Sequence, residues 1–409
     1  MKAATETTTL ELCGTEACPV VHDVARGAVF HPSCVEELRG RIPERFGPGP
    51  FLDNVHMDIT NRCASACRHC YHSLAPGQGD DLSLARIVSI LDDARRLGCA
   101  RIALSGGEPM LHPEFLQILE AVKSRGLSLM ALFTGGHPFQ ENLVGRVQKI
   151  FPNVLILVSL DDFNSDGSQL RGSAEAIDEA VARYIGMGFK VCVSSLMHRG
   201  WKCTAVEAYE RMRLRHPWLW RWRVSVPRRI GRFGQGSDSF AMDPQEVRRQ
   251  YSEMLRHYLG LFDTGAQPLP ELQIGFAFQS QMIGQRVRLY RSKEKLCRYK
   301  HDTAVVNWQG HVGHCSMALS TGDRLGDLEH ESLFDIWRTV GERPAMRNRP
   351  AEEVAECRDC DIRRYCNSGC RAVVPDGWDC VTYRFFAEEC LPELVRRGTT
   401  FEDEKTQEE

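Results

Sequence analysis

Between Leu52 and Asp263 the chain alternates six short apolar runs with amphipathic stretches, and this alternation restricts the fold more than any other feature. The runs NVHMDIT, RIALS, LSLMALFT, VLILVSL, FKVCVSS and WRVSV read as strands. The clearest helical pattern lies between Ser83 and Leu97, with Ile87, Val88, Leu91, Ala94 and Leu97 on one face. Ser83 is placed to cap its start and Gly98 to end it. Ala174–Gly186 and Pro244–Phe262 repeat the style. Strands alternating with helices build βα units around a parallel sheet or barrel. Six strands fall short of the eight of a full (β/α)8 barrel, and in such folds the chemistry gathers at the C-terminal ends of the strands.

This α/β core is expected over residues 51–264. Before it, residues 1–50 read as a leader segment carrying Cys13, Cys18 and Cys34 and closing in the Gly/Pro-rich RFGPGPF. After it, residues 265–395 are rich in cysteine and poor in periodic apolar segments, so metal rather than a core is expected to hold them. Residues 396–409, ending FEDEKTQEE, are expected to be an acidic disordered tail. A net charge of −3 speaks against a protein that works by neutralising nucleic-acid phosphates. No apolar run reaches the roughly 18 residues of a membrane span, and the N-terminus shows no secretory h-region, so a cytoplasmic location is expected. The 17 cysteines are odd in number and cannot all pair. In a chain of this class clustered cysteines point to metal binding or catalysis.

Cys63, Cys67 and Cys70 give the spacing C-x3-C-x2-C directly after the first strand. Three thiolates on one tight loop can hold three irons of a [4Fe–4S] cube; such clusters usually take four, so one iron stays open. The other reading is a closed zinc loop completed by His69 or His72. The second strand runs into Gly106-Gly107-Glu108-Pro109, where glycines let backbone approach a ligand and a carboxylate can receive an ammonium group.

With both motifs one βα unit apart, residues 52 to about 235 resemble the radical S-adenosylmethionine (radical SAM) superfamily. The resemblance implies a partial (β/α)6 TIM-type barrel. It implies that the open iron chelates SAM, that GGEP receives the SAM amino group, and that one-electron reduction yields a 5′-deoxyadenosyl radical that abstracts a hydrogen from the substrate. VLILVSLDD resembles the family strand that ends at the cofactor, which carries Ser159 and Asp161 over as SAM- or substrate-site residues. Arg171-Gly172 matches the Arg-Gly that follows, and VSVPRRIGRFG resembles the segment flanking SAM. His69 departs from the usual aromatic residue before the last cysteine, and a histidine ring can still stack on adenine.

The ordered string Cys297, Cys315, Cys357, Cys360, Cys366 and Cys370, with Cys380 and Cys390 beyond, resembles the SPASM extension of radical SAM enzymes, which carries two auxiliary [4Fe–4S] clusters. By that resemblance one cluster takes Cys297, Cys315 and Cys370. The other takes Cys357, Cys360, Cys366 and a late cysteine, with Cys390 nearer the usual distance than Cys380. No fourth cysteine lies between Cys297 and Cys315, leaving an open iron, Cys380, or a leader cysteine reaching across as the three possibilities. Ser316 stands where sulfatase-maturing members carry Asp, which discounts that activity.

Among isolated residues, Cys192 reads as core, while Cys203 is a candidate hydrogen-atom donor facing the active site. Arg221, Arg223, Arg228, Arg229 and Arg232 are either a carboxylate-holding group or a solvated strand exit. Trp218, Trp220 and Trp222 alternate as one face of a strand, and His112 reads as a loop-to-helix residue. The resemblance implies an oxidoreductase or maturase. Its first expected substrate is a ribosomally made peptide, which would be cross-linked, epimerised or oxidised. The alternative is dehydrogenation or epimerisation of a small molecule such as a sugar, aminocyclitol or other natural-product intermediate. A flavodoxin- or ferredoxin-type electron donor is implied, and for a peptide substrate a separate recognition protein or a direct docking groove. Neither nucleic acid nor membrane is expected as a partner.

Overall fold

The computed structural model describes the chain apart from residues 1–9, 17, 25–27, 31–34, 78, 162–170, 236–240, 276, 290–301, 344–356, 363–369, 371–377 and 404–409. Cys34, Cys297 and Cys366 therefore lie outside the described residues. Four short strands come first: β1 (Leu10–Gly14), β2 (Pro19–Asp23), β3 (Ala28–Phe30) and, after the one-turn helix α1 (Val35–Leu38), β4 (Glu44–Phe46). The six expected strands follow as β5 (Asn54–Asp58), β6 (Arg101–Ser105), β7 (Ser128–Thr134), β8 (Leu155–Ser159), β9 (Lys190–Leu196) and β10 (Arg221–Ser225). They are parallel neighbours in chain order, with α2 (Leu84–Arg96), α3 (Phe115–Ser124), α4 (Glu141–Ile150), α5 (Ala174–Gly186) and α6 (Ala205–Arg215) between them.

Local sequence explains these boundaries. Ser83 accepts a hydrogen bond from the Arg86 amide and starts α2, which buries Ile87, Ile90, Leu91 and Ala94. Gly98 ends it in the left-handed conformation at φ 77°. Thr204 and Glu207 close a reciprocal capping box on α6. Strands covered on both faces are buried throughout, and every residue of β5 is, its polar Asn54, His56 and Asp58 being hydrogen-bonded.

The sheet is open, not a closed barrel. Beyond α7 (Gly231–Gln235) and α8 (Pro244–Asp263), β11 (Glu271–Ile274) adds parallel to β10 and the short β12 (Phe278–Gln279) pairs with it. Beyond β13 (Arg286–Leu289), β14 (Thr303–Val306) adds parallel to β5, followed by β15 (His311–Gly313) and β16 (Gly326–Asp327), giving an 11-stranded sheet. The cysteine-rich part of the chain is thus continuous with the core sheet through β14. It also supplies α9 (Ser316–Ser320), α10 (Leu333–Arg338), α11 (Trp378–Phe385) and α12 (Leu391–Arg396). Among the described residues no helix is long and apolar enough to cross a membrane.

Two organisational expectations change. Residues 1–50 are no loose leader: β1 pairs antiparallel with β2 and parallel with β4, and this four-stranded sheet docks on the core. Gly14 donates its amide to Gly98 O at 2.9 Å, and His22 Nε2 lies 2.6 Å from Ser128 Oγ. Nor is the whole of 396–409 a tail. A strand β17 (Thr400–Asp403) pairs parallel with β13, because Gly398 turns the chain at φ 82° and Thr399 Oγ1 ties it to Met282 O at 2.7 Å.

Of the three tryptophans, only Trp222 lies on a strand. It is fully buried and donates to Ser195 Oγ, whereas Trp218 in the preceding loop is 82% exposed. Trp220 instead carries Lys190 and Arg221 over its ring. Cys192 is core, and His112 ties the loop before α3 through Leu82 O and the Glu114 amide.

Candidate active site

A cavity of ≈ 250 Å³ opens at the C-terminal ends of the parallel strands. Cys63, Cys67, Cys70, Gly106, Gly107, Ser159, Asp161 and Arg171 all line it. Glu108 stands just behind the wall, bonded to two residues that do line it: Thr134 Oγ1 and the Gly135 amide each donate to its Oε2 at 2.8 Å. Its other oxygen, Oε1, is buried with no hydrogen-bond partner, and burial raises its pKa to about 7. Pro109 is buried as the first residue of a short 3-10 turn and does not line the cavity.

The glycines of GGEP act differently from expectation. A Cβ on Gly106 would meet Thr60 O at 2.4 Å, and one on Gly107 would meet Arg62 O at 2.1 Å. Their smallness lets the turn press on the backbone entering the cysteine loop, where Gly107 N and Glu108 N donate to Thr60 O and Arg62 O at 2.8 and 2.7 Å. The two motifs are thereby locked together as one unit.

The loop is also clamped from the far side. Gly231, at φ 56°, lies where a Cβ would meet both Cys70 O and Tyr71 O at 2.4 Å. The Arg232 amide donates to Cys70 O at 3.0 Å, and its guanidinium to Cys67 O, to Ser73 O at 3.1 Å and to Leu74 O at 2.6 Å. This role was missed in sequence; the Gly-Arg of RRIGRFG was its only signal.

Asp161 gathers the third group. Its Oδ2 accepts from Arg171 Nε at 2.7 Å and lies 3.1 Å from His69 Nε2, while its Oδ1 accepts from Leu196 N at 2.9 Å. Against its burial, Arg171 and His69 hold Asp161 well below the usual carboxylate range. His69 Nε2 also lies 3.0 Å from the Arg171 guanidinium, so its ring edge joins this polar network while the residue lines the cavity.

A second buried chain runs beneath the loop and was also unread. Asp58, at the end of β5, lies 3.1 Å from His72 Nε2 and 3.3 Å from His56 Nε2, and His72 Nδ1 lies 3.1 Å from Ser320 Oγ on α9. Ser316, one turn earlier on α9, hydrogen-bonds the buried Tyr71 hydroxyl, and Met317 lines the cavity.

Among the described residues three further candidate cysteines do not line this cavity. Cys203 does not reach the main cavity; it lines a separate cleft with Trp201, Met242 and Glu246, and Trp201 stands between, donating its indole N–H to Asp161 O at 2.6 Å. Cys13 is buried on β1 of the N-terminal sheet. It packs with Ala100 at the N-terminal end of β6, where its sulfur accepts from Arg45 at 3.3 Å, whereas the GGEP turn lies at the other end of that strand. Cys390 is fully buried in the apolar core, its thiol pushed well up by that burial, while Cys380 on α11 is exposed. Cys357 and Cys360 share one turn, and Cys315 caps the N-terminus of α9.

Comparison with known proteins matches these parts to families. Residues 57–203 match the radical SAM superfamily, and residues 297–361 match the SPASM iron-sulfur cluster-binding domain. The chain is a radical SAM protein with a C-terminal SPASM domain. Over 178 residues it is 25% identical to GTP 3′,8-cyclase of Chlorobaculum tepidum, covering 43% of this chain and 53% of that protein. It thus spans only about half the length of that relative. It is 24% identical over 335 residues to PqqA peptide cyclase of Xanthomonas oryzae pv. oryzae, covering 78% of this chain and 82% of that one. The fold is that of anSMEcpe with bound AdoMet (TM-score 0.63, 16% identity, 84% of this chain and 98% of that chain). It is also that of Streptococcus suis SuiB bound to S-adenosylmethionine (TM-score 0.57, 15% identity, 80% and 74%).

The two domains imply [4Fe–4S] clusters and SAM. The residues present fit them. Burial pushes the Cys67 thiol up to about 11, so a positive centre beside it favours its anionic, ligating form. The unpartnered Glu108 oxygen suits a bound ammonium group.

Proposed function

We propose that this protein is an enzyme that cleaves SAM reductively and modifies a peptide. The observation that carries the reading is one cavity lined by the three-cysteine loop and by Gly106 and Gly107, with the half-satisfied Glu108 bonded to its wall through Thr134 and Gly135. Cys63, Cys67 and Cys70 would hold the SAM-binding cluster. When bound, that cluster supplies the electron that splits SAM, and the nucleoside fragment takes a hydrogen atom from the substrate. Thr134 and Gly135 orient Glu108 so that Oε1 receives the SAM ammonium. Arg232 fixes the loop, and Ile230, Val226 and Met317 present apolar wall that excludes water.

Cys297, Cys315 and Cys370, and Cys357, Cys360 and Cys366, would hold the auxiliary clusters, with the exposed Cys380 now a better late ligand than core-buried Cys390. Support for a peptide comes from the long match to PqqA peptide cyclase, and both fold neighbours are also solved with peptides, SuiB with SuiA and anSMEcpe with the Cp18Cys peptide. The match to GTP 3′,8-cyclase keeps a small-molecule substrate as the second reading. A flavodoxin- or ferredoxin-type donor and a separate peptide-recognition protein complete the proposal.

The test is anaerobic reconstitution with dithionite and SAM. Replacing Cys63, Cys67 and Cys70 together with Ala abolishes 5′-deoxyadenosine formation yet leaves about eight irons per chain, four for each remaining cube. Retained cleavage, or a colourless zinc protein, overturns the reading. Deuterium transfer from labelled peptide into 5′-deoxyadenosine then identifies the substrate.

A further inference from the structure

Strand β10 places an uncompensated cation in the cavity wall. Its residues alternate: Trp222 and Val224 are fully buried, and Arg221, Arg223 and Ser225 point to the other face. Arg221 is neutralised by Glu271 across the β10–β11 pair at 2.6 Å. Arg223, two residues nearer the chemistry, sits in register between Ser194 and Gln273 and lines the cavity. Its Nε is buried, and among the described residues it makes no hydrogen bond or ion pair. Arg228 lines the same wall. Among the described residues the one acidic residue in the lining is Asp161, already committed to Arg171.

A partly desolvated guanidinium with open donors is costly unless an anion arrives, and its planar fork matches a carboxylate. Glu108 follows β6, with β7, β8 and β9 between that strand and β10. An amino acid carries its amino group and carboxylate on one carbon, so an amino-acid end held at Glu108 lies on the β6 side of the cavity and leaves the β10 side to the substrate.

We propose that Arg223, assisted by Arg228, is a carboxylate-binding subsite for the substrate, and that the substrate therefore presents an acidic group on the β10 side of the cavity. This rests on the reading of Glu108 as receiver of the SAM ammonium.

The test uses the reconstituted full chain with SAM bound, titrated calorimetrically with acetyl-Ala-Glu-Ala-amide, its Gln counterpart and glutarate. The expected result is that the Glu peptide binds at least about tenfold tighter than the Gln peptide. Arg223→Gln removes this preference and Arg223→Lys, which keeps the charge, retains part of it. The SAM dissociation constant of Arg223→Gln stays within about twofold of the unaltered protein. Glutarate binding as tightly as the Glu peptide supports the subsite and points to a small-molecule acid; tighter peptide binding supports it with an acidic peptide. Equal affinity for the Glu and Gln peptides, no binding of any probe, or a loss of SAM affinity of about tenfold in Arg223→Gln overturns the proposal. Failure of the unaltered protein to cleave SAM would instead overturn the function proposed above, so the two failures are distinguishable.

Discussion

Glu108 shows how one residue can be destabilising alone and useful with a ligand. Burial lifts its pKa to about 7, so the folded chain holds a proton there that the unfolded chain releases near pH 4.5. The folded state binds more protons across that window, so this residue's contribution to stability falls as pH rises from 4.5 to about 7 and is flat above. A SAM amino group donates its N–H most strongly to the ionised form. SAM affinity is therefore expected to rise with pH by up to about tenfold per unit below 7 and to level off above it. Equilibrium dialysis of SAM between pH 6 and 8 reads this, and Glu108→Gln should bind SAM weakly with a flat profile. A steep profile surviving in that variant would assign the titration elsewhere.

At the scale of elements, the five-residue α9 joins the SPASM part to the SAM-cluster loop. Cys315 caps it, Ser316 and Ser320 lie one turn apart on the face toward Tyr71 and His72, and those two residues directly follow Cys70. The helix therefore carries Met317 into the cavity wall on two hydrogen bonds. Removing both with Tyr71→Phe and Ser320→Ala is expected to cost about 1–3 kcal/mol. It should also raise 5′-deoxyadenosine formation without substrate, because the water-excluding wall loosens. Denaturant melts of the reconstituted protein and a substrate-free cleavage assay check both effects. Unchanged stability and unchanged uncoupled cleavage would show that α9 is a bystander. None of this was legible in sequence, since Ser320 and His72 lie 248 residues apart.

Across the whole molecule, what could be read was what is local. Six strands, the α2 caps, C-x3-C-x2-C and GGEP are each written within a few residues, and the structure brings both motifs to one cavity. The roles of Gly106, Arg232 and Asp58, and the placement of Cys203 and Cys390, depend on which distant segment packs alongside. Composition and spacing do not encode that. The N-terminal sheet is the largest case, because strands of 3 and 5 residues carry too little periodicity to stand out. Its docking is nonetheless stringent. Gly98 sits at φ 77° with a would-be Cβ 2.0 Å from Gly14 O, and Gly47 would meet Leu97 C at the same distance. Gly98→Ala adds a strained conformation of about 1–2 kcal/mol to a backbone clash that only separation of the two layers relieves. The docked sheet lies at the N-terminal end of β6 and the cysteine loop packs on its C-terminal end. Gly98→Ala should therefore make residues 10–46 sensitive to limited proteolysis while the absorption of the reconstituted clusters is retained. Simultaneous loss of the cluster spectrum would mean that the N-terminal sheet and the catalytic end of the core fold as one unit.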